Sequence, residues 1–404
     1  MFRIINYMKK DNSMSQFSYA IWRVILRFLA FFFVGYRHKD NFKIKKGESI
    51  VVLSNHQTDI DAVLINLSFN RLLHTLTTDN LFKKGFANWI LTKFGAIPKR
   101  KGMVDPNSTM QMMRVIKNHQ SLLIFPEGNR AYAEFQYYIS PRFVQFLKAM
   151  KAKIVLFNLH GGNGTHPRFM RRKRRGKFYG EVTKVLAYEE YKDMPDEELF
   201  DLIKQNLRVF DSESGALFKD KRRAEYLERM FFVCPSCHSA QTLYSKRELI
   251  RCQKCGFEAE FTEDLHLKIR NSQVNYTKLV EWYNYQKVWM KELEINNNEP
   301  IFTDENVKLF SAELNQKKTL LAKGKLSITN NVMTFDNVSF DIKDIEIASS
   351  VSGTKFVFTH LGKNYEVRGA ARFNPLKYVM LFNKLDTKMH LNDTDKYFNL
   401  EVDV

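Results

Sequence analysis

The sequence is poor in cysteine and low in overall hydropathy. Four cysteines in 404 residues are too few for a secreted disulfide scaffold of this size. A mean hydropathy of −0.37 argues against a bundle of membrane spans. There is no repeat and no low-complexity tract, so a solenoid or array is not indicated. Since 44% of the residues are apolar and 26% are charged, the chain is a folded protein. Its length predicts about two to four domains.

Acidic residues are scarce in the first half of the chain. Residues 1–200 hold 33 Lys and Arg against 16 Asp and Glu, whereas residues 201–404 hold 30 against 28. The net charge of +19 therefore belongs mainly to the N-terminal half. Such a field attracts anionic lipid surfaces, phosphorylated substrates, acidic proteins or nucleic acid, and charge alone does not choose among them.

The first apolar segment, residues 17–36, is long enough to span a bilayer but contains two arginines. Arg23 and Arg27 lie one helical turn apart, on a narrow stripe of an otherwise large and apolar helix. This pattern predicts a membrane-interfacial segment, residues 1–40, whose arginines reach the lipid headgroups. A signal anchor and the buried first helix of a globular domain are the alternatives.

Residues 41–215 alternate short apolar runs with amphipathic stretches, which is typical of an α/β domain with helices packed on a sheet. The predicted strands are 50–53, 122–125 and 154–159. The predicted helices are 60–67, 81–94, 109–117, 143–150 and 197–209.

The first chemical motif is Asn-His-Gln-Thr-Asp-Ile-Asp at residues 55–61, between a predicted strand and a predicted helix. There the carboxylate of Asp61 can turn back onto the imidazole of His56. A carboxylate on one ring nitrogen fixes the tautomer and leaves the other nitrogen as a base. Thr58 and Asp61 also fit a helix capping box, which is the structural alternative.

Two further motifs follow in order. Residues 125–130, Phe-Pro-Glu-Gly-Asn-Arg, come after a predicted strand, so Glu127 and Arg130 should project at the sheet edge where α/β sites lie. Residues 95–102 form a predicted proline-set turn, suited to a phosphate or simply solvated. Its three consecutive cations are Lys99, Arg100 and Lys101.

Together with the strand 154–159 and the His-Gly-Gly that follows it, these ordered motifs resemble the glycerolipid acyltransferase family, whose type members are the lysophosphatidic acid acyltransferases. The resemblance covers roughly residues 15–210. It implies that His56 is the general base and Asp61 its orienting partner. It also implies that the acceptor phosphate is held by the following residues: Glu127, Gly128, Arg130, Lys99, Arg100 and Lys101. The sequence departs from the family at Asn129, where Thr is usual, and at Lys101, where Arg is frequent.

The activity that the resemblance implies is transfer of a fatty acyl group from a thioester, acyl-CoA or acyl-carrier protein, to a free hydroxyl of a lysophospholipid. The expected acceptor is 1-acyl-sn-glycerol-3-phosphate and the expected product is phosphatidic acid. No G-x-S-x-G motif is present, so an acyl-enzyme on serine is not indicated. We expect backbone N–H groups near the helix that opens after Thr58 to stabilise the tetrahedral oxyanion.

All four cysteines fall within residues 228–265, as two C-x-x-C pairs separated by fourteen residues: Cys234, Cys237, Cys252 and Cys255. This spacing predicts a zinc ribbon with a structural tetrahedral Zn²⁺ and no catalytic metal. Two reduced pairs, or disulfides in an exported chain, are the alternatives. Retained thiolates indicate a reducing compartment, and hence the cytoplasmic face of the membrane, with the protein monotopic or peripheral.

The last part of the chain predicts a connecting helix within 266–300 and a β-domain over 301–404. Four aromatic residues at helical spacing indicate that the helix packs on a neighbouring element. Period-two runs followed by one C-terminal helix resemble a pleckstrin-homology-like or GRAM-like barrel.

The run of five cations at 171–175 has several interpretations. A solvated loop, contact with anionic headgroups, and binding of an acidic acyl-carrier protein or of nucleic acid all fit it. The zinc ribbon and this run make a nucleic-acid-binding protein one alternative function. The C-terminal barrel as a recognition module makes a non-catalytic lipid-binding adaptor another. Because the ribbon half is almost neutral, we expect no nucleic-acid partner.

Overall fold

The computed structural model describes residues 13–39, 42–78, 82, 86–99, 106–130, 132, 134, 136, 138–295, 299–313, 318–351 and 353–389. The chain divides into two compact units. The first comprises the described parts of 1–130, 139–162 and 177–210, and the second those of 131–138, 163–176 and 211–404. Three segments of the predicted α/β region, within 131–138, 163–176 and 211–215, thus belong to the second unit.

The first unit is built on a seven-stranded sheet with the order β1-β7-β6-β2-β5-β3-β4. All neighbouring strands are parallel except β6 and β7. The strands are β1 (Tyr36–His38), β2 (Ile50–Ser54), β3 (Leu73–Thr78), β4 (Ala96–Lys99), β5 (Ser121–Ile124), β6 (Lys153–His160) and β7 (Phe178–Leu186). The helices are α1 (Gln16–Leu29), α2 (Asp61–Ser68), α3 (Phe86–Lys93), α4 (Pro106–Lys117), α5 (Arg142–Met150), α6 (Gly162–Thr165), α7 (Tyr188–Tyr191) and α8 (Asp196–Asn206).

The core lies on both faces of the central strands. Every residue of β2 and of β5 is buried, and so are six of the eight residues of β6. Continuous apolar runs of this kind are expected where a parallel strand is covered on both faces. The three strands predicted from the sequence are these three, and they agree with the structure to within one residue at each end.

Helix α1 packs on the first unit through its polar stripe. The hydroxyl of Tyr19 donates to the carbonyl of Asn66 at 2.6 Å, and Arg23 donates to the carbonyl of Phe69 at 2.8 Å. These carbonyls lie at the end of α2, and that of Asn66 also accepts the backbone N–H of Phe69 at 3.1 Å. Arg27 donates to Nδ1 of His38 at 2.7 Å. The expectation that the arginines reach lipid headgroups is therefore wrong, because both are used to hold the helix.

The opposite side of this N-terminal helix is apolar and faces outward. The segment Gln16–Val34, which continues α1 through a π-helical turn, is long and apolar enough to cross a membrane by length and composition. Of the most apolar 18-residue stretch of this segment, only 11% is buried. Its exposed large apolar side chains are Phe17, Ile21, Trp22, Val24, Ile25, Phe28, Leu29, Phe31, Phe32 and Phe33.

The second unit begins with a four-stranded antiparallel sheet of order β11-β10-β9-β8. Its strands are β8 (Leu243–Lys246), β9 (Leu249–Cys252), β10 (Glu258–Phe261) and β11 (Leu267–Ile269). Helix α9 (Leu279–Glu292) follows and packs with its aromatic face, as predicted: the Trp282 ring stacks on Phe231 with centroids 4.3 Å apart. The indole N–H of Trp282 donates to the carbonyl of Val233 at 2.9 Å.

The C-terminal domain is a seven-stranded antiparallel sheet of order β15-β14-β13-β12-β18-β17-β16, followed by α10 (Pro375–Met389). The strands are β12 (Phe302–Ser311), β13 (Thr319–Ile328), β14 (Val332–Phe335), β15 (Val338–Asp341), β16 (Ile345–Val351), β17 (Lys355–His360) and β18 (Lys363–Arg368). Among the described residues β15 and β16 do not pair with each other, so the sheet is not a closed barrel. The predicted antiparallel domain is present, and the expectation of a barrel-like closure is wrong.

A substitution of Gly180 tests the packing of the first sheet. A Cβ at this position of β7 would lie within 2.6 Å of the Phe157 ring and closer still to the Tyr36 hydroxyl, both of which are buried. We expect Gly180→Ala to lower the free energy of unfolding by about 1–3 kcal/mol, because the two rings must move. Chemical denaturation measures this. The exposed Lys184→Ala on the same strand is the control, and equal stabilities of the two variants would contradict the packing described.

Candidate active site

The loop between β2 and α2 brings His56 and Asp61 together. Nδ1 of His56 lies 2.8 Å from Oδ2 of Asp61. The carboxylate can only accept, so Nδ1 carries the proton and Nε2 keeps a lone pair. The side chain of Asp61 is fully buried, whereas that of His56 is 24% exposed. The ring of His56 stacks on Phe125 with centroids 4.2 Å apart. One ring nitrogen is therefore fixed, and the imidazole remains partly open to a substrate.

Asp61 also organises the loop itself. Its Oδ2 accepts the backbone N–H groups of Gln57 and Thr58 at 2.6 and 2.8 Å, and its Oδ1 accepts the Thr58 hydroxyl. The expected capping box is not formed, because the helix begins at Asp61 after Ile60 and the Thr58 hydroxyl donates to the Asp61 carboxylate. Both backbone N–H groups are bound to the carboxylate, so they do not serve as the oxyanion donors that we expected near this helix.

Two polar residues of the motif fasten the loop to the end of β6. The side chain of Asn55 exchanges two hydrogen bonds with the backbone of Leu159, at 2.8 and 2.9 Å. Oε1 of Gln57 accepts the N–H of Gly162 at 2.9 Å. Asn55 and Gln57 were not among the predicted site residues, although both stand within the motif beside His56. Their partners lie about one hundred positions away, so the spacing of the sequence gave no sign of them.

The Phe-Pro-Glu-Gly-Asn-Arg segment forms the predicted tight turn after β5. Gly128 has φ +63° and its N–H donates to the carbonyl of Phe125 at 3.0 Å. Glu127 is buried. Arg130 forms an ion pair with Asp59, whose side chain is 72% exposed while that of Arg130 is 12% exposed. The pair places a cation beside the His56 loop, and Asp59 is a residue that the sequence prediction missed.

The basic segment 95–102 is only partly described. Residues 96–99 form strand β4 at the edge of the sheet rather than the predicted turn, and an edge strand tolerates Pro98. Lys99 ends this strand, three strands from β2, which is roughly 14 Å at the usual strand spacing. Arg100 and Lys101 lie outside the described residues.

The four cysteines of the second unit form one cluster. Their sulfur atoms all lie within 4.8 Å of one another, and the Cys234–Cys255 and Cys237–Cys252 sulfurs are each 3.7 Å apart. None of them forms a disulfide. Burial raises the pKa of the Cys237 thiol, but hydrogen bonds from Ser239 and the neighbouring cysteines outweigh it and bring the pKa to about 6. The cluster can hold a metal ion.

The basic run 171–175 lies in the second unit and is not uniform. Four of its cations are exposed, which fits a solvated loop, but Arg174 is buried. The guanidinium of Arg174 donates to the carbonyl of Arg223 at 2.7 Å and lies over the Phe261 ring, 4.8 Å from its centroid. Burial lowers the pKa of Arg174 to about 9. This arginine is part of the packing of the unit.

Comparison with known families finds a match for the segment that contains the first of these sites. Residues 36–159 match the family model described as Acyltransferase. This segment runs from β1 into β6 and contains His56 and Asp61, so the part of the chain that holds this site is similar to the acyltransferase family. The resemblance to acyltransferases is confirmed for this part of the chain. The match does not extend to the cysteine cluster or to the C-terminal sheet.

Comparisons with curated proteins and with solved structures add little to the family match. No curated protein matches the sequence. One similar solved structure is the 1-acyl-sn-glycerophosphate (LPA) acyltransferase PlsC from Thermotoga maritima, with 16% identity, 43% of this chain and 69% of that chain covered, and a TM-score of 0.37. A chain of the 8S snRNP assembly intermediate has 13% identity, 25% and 89% coverage, and a TM-score of 0.17. At these TM-scores neither likeness supports a functional argument.

The contact between Asn55 and Leu159 gives a testable consequence. We expect Asn55→Ala to lower the free energy of unfolding by about 1–3 kcal/mol, because it leaves the buried N–H and C=O of Leu159 unpaired. Urea denaturation measures the change. The exposed Asn118→Ala of the same unit is the matched control, and an unchanged stability of Asn55→Ala would show that the loop is not held at this point.

Proposed function

We propose that this chain transfers a fatty acyl group from a thioester to the free hydroxyl of 1-acyl-sn-glycerol-3-phosphate and so forms phosphatidic acid. The observation that carries the proposal is the 2.8 Å contact between Nδ1 of His56 and Asp61, in a loop that leaves the imidazole partly exposed. The acyltransferase family of residues 36–159 supports the class of reaction. The acceptor and the donor, acyl-CoA or acyl-carrier protein, are part of the proposal.

In this mechanism Nε2 of His56 takes the proton of the acceptor hydroxyl while the oxygen attacks the thioester carbonyl. The tetrahedral intermediate collapses, the carbon–sulfur bond breaks, and the proton passes from the imidazolium to the leaving thiolate. The products are an ester and a free thiol. Asp61 holds the ring and stabilises the imidazolium through its charge.

The acceptor phosphate is assigned to the cations of the same edge of the sheet. Arg130 stands next to the His56 loop through its pair with Asp59, and this exposed carboxylate can be displaced by a phosphate. Glu127 and Gly128 shape the turn that presents Arg130. Lys99, Arg100 and Lys101 remain further candidates for the phosphate site.

We also propose that the protein works as a monotopic or peripheral enzyme on the cytoplasmic face of a membrane. Helix α1 is fastened along its length by Tyr19, Arg23 and Arg27, so it lies against the domain with its apolar side outward. That side suits insertion to the depth of the headgroup and acyl-chain boundary.

The catalytic assignment predicts a large and coupled loss of rate. His56→Ala and Asp61→Asn should each lower kcat by about 10²–10⁴-fold, and the double variant should be no slower than His56→Ala, because the two residues act as one unit. Mass spectrometry of the lipids formed from a mixed panel of lysolipids, with acyl-CoA and acyl-carrier protein donors, measures the rates and identifies the substrates.

The exposed histidine variant His119→Asn is the control, since asparagine tolerates its positive φ of 54°. Equal product formation by wild type and His56→Ala would remove His56 as the base. Acylation of other lysolipids with no phosphatidic acid formed would instead change the acceptor and leave the base in place.

We propose that the cysteine cluster binds a structural Zn²⁺. Four sulfurs at about 2.3 Å from a tetrahedral zinc lie about 3.8 Å apart, and the sulfur distances of 3.7 Å fit this geometry. Four thiolates fill the coordination sphere, so the ion would hold the two turns of the ribbon together and would take no part in the reaction. Retained thiolates also agree with a reducing compartment.

Removal of one ligand tests the zinc site. We expect Cys252→Ser to lose the bound zinc, from about one ion per chain to a small fraction, and to melt at a lower temperature, because metal binding and folding of such a ribbon are coupled. Elemental analysis by mass spectrometry and thermal unfolding measure both effects. Ser236→Ala, an exposed change within the first knuckle, should keep the metal. Full zinc content in Cys252→Ser would exclude this site.

A further inference from the structure

Four cations form a row across the C-terminal sheet. Lys308 of β12 lies directly opposite Lys323 of β13 on one side and Arg368 of β18 on the other, and Arg368 lies opposite Lys355 of β17. Residues directly opposite each other in antiparallel strands project from the same face. We name Lys323, Lys308, Arg368 and Lys355 the cationic row. It spans four adjacent strands, roughly 14 Å at the usual strand spacing.

The cationic row lies on the face of the sheet that is turned away from the core of its domain. Its sequence neighbours Leu309, Phe356 and Val367 are buried on the opposite face. There Tyr378 of α10 contacts the Phe302 and Phe356 rings, with centroids 6.1 and 5.6 Å apart. Lys308 and Lys323 are exposed, and the side chain of Arg368 is 41% exposed.

Like charges placed directly opposite each other destabilise a sheet. One carboxylate offsets part of this repulsion: Glu366, which is 5% exposed, accepts from Nε of Arg368 at 2.6 Å and also pairs with Lys318. In the described part of the chain no ion pair involves Lys308, Lys323 or Lys355. The row therefore keeps a net positive charge that folding alone does not require.

Apolar side chains stand exposed beside the cationic row. Leu320 and Leu321, near the start of β13, are 51% and 44% exposed. Leu320 lies opposite Phe310, and the guanidinium of Arg368 lies over that ring, 4.6 Å from its centroid. Cations adjacent to exposed aliphatic side chains on one face are the composition of a surface that rests on the headgroups of an anionic bilayer. A single-stranded nucleic acid would call for exposed aromatic platforms instead.

We propose that the cationic row and its adjacent leucines bind the surface of an anionic lipid bilayer. The row attracts the phosphates of several headgroups, and Leu320 and Leu321 enter the interface between them. This binding does not depend on acyl transfer and goes beyond the proposed catalytic function. It gives the C-terminal sheet a role of its own, namely attachment of the chain to membranes that carry negative charge.

The experiment compares full-length proteins in their binding to vesicles. We expect Lys308→Gln/Lys323→Gln to bind vesicles of phosphatidylcholine with roughly one third phosphatidylglycerol about 10- to 30-fold more weakly than wild type, since each cation near such a surface contributes about fivefold. Binding to vesicles of pure phosphatidylcholine should be unchanged. High salt should remove the difference, because it shortens the Debye length to about 3 Å at 1 M.

The matched control is Lys246→Gln/Lys268→Gln, which removes the same charge from exposed positions of the ribbon sheet. It should lose less than about twofold, as expected for charges away from the contact. The melting temperature of Lys308→Gln/Lys323→Gln should be equal to or above that of wild type, because the substitutions relieve repulsion between like charges. A lower melting temperature would therefore reveal a folding defect separately from a loss of binding. Equal losses in both double variants, or none in the row variant, would overturn the proposal. The proposal would also be overturned if a nucleic acid released the wild-type protein from the vesicles in preference to the lipid.

Discussion

The fully buried carboxylate of Asp61 is the constraint on which the active-site loop depends. Burying an uncompensated charge costs several kcal/mol, and here four donors offset that cost: two backbone N–H groups, a hydroxyl and the imidazole of His56. Asp61 is also the first residue of α2, where the helix dipole favours a negative charge. One group thus sets the conformation of the loop, the start of the helix and the tautomer of His56. The same carboxylate thus has a structural role in the loop and a contact with the imidazole.

The sequence predicted the parts of this site that depend on local spacing or on strong periodicity. His56 and Asp61 are five positions apart, and β2, β5 and β6 are short, largely apolar runs of the length typical of buried strands. By contrast β3 is Leu-His-Thr-Leu-Thr-Thr and β4 contains Pro98, so neither resembles a central strand. Both lie toward one edge of the sheet, where polar residues and proline are tolerated.

Contacts between segments that are distant in the sequence could not be predicted from it. The stripe of Arg23 and Arg27 was correctly placed on one side of a helix, but periodicity does not say which side meets the protein. The deciding groups are the carbonyls of Asn66 and Phe69 at the end of α2, which accept hydrogen bonds from Tyr19 and Arg23. Asp59 and Gln57 are similar cases, because their roles follow from Arg130 and Gly162, which come from other strand ends.

Counts of charged residues along the sequence also failed to predict which cations lie together on the surface. Five consecutive cations at 171–175 suggested a surface patch, yet Arg174 is buried among the aromatic rings of the second unit. The nearly neutral second half suggested no cationic surface, yet four cations scattered over sixty residues of sequence meet in one row, because antiparallel register brings them together.

On the proposed roles, the chain carries an apolar membrane contact on one unit and an electrostatic one on the other. A single such signal gives only marginal attachment, and stable anchoring takes two. Membrane residence would then depend on lipid charge even though the inserted helix contributes no charge to the contact.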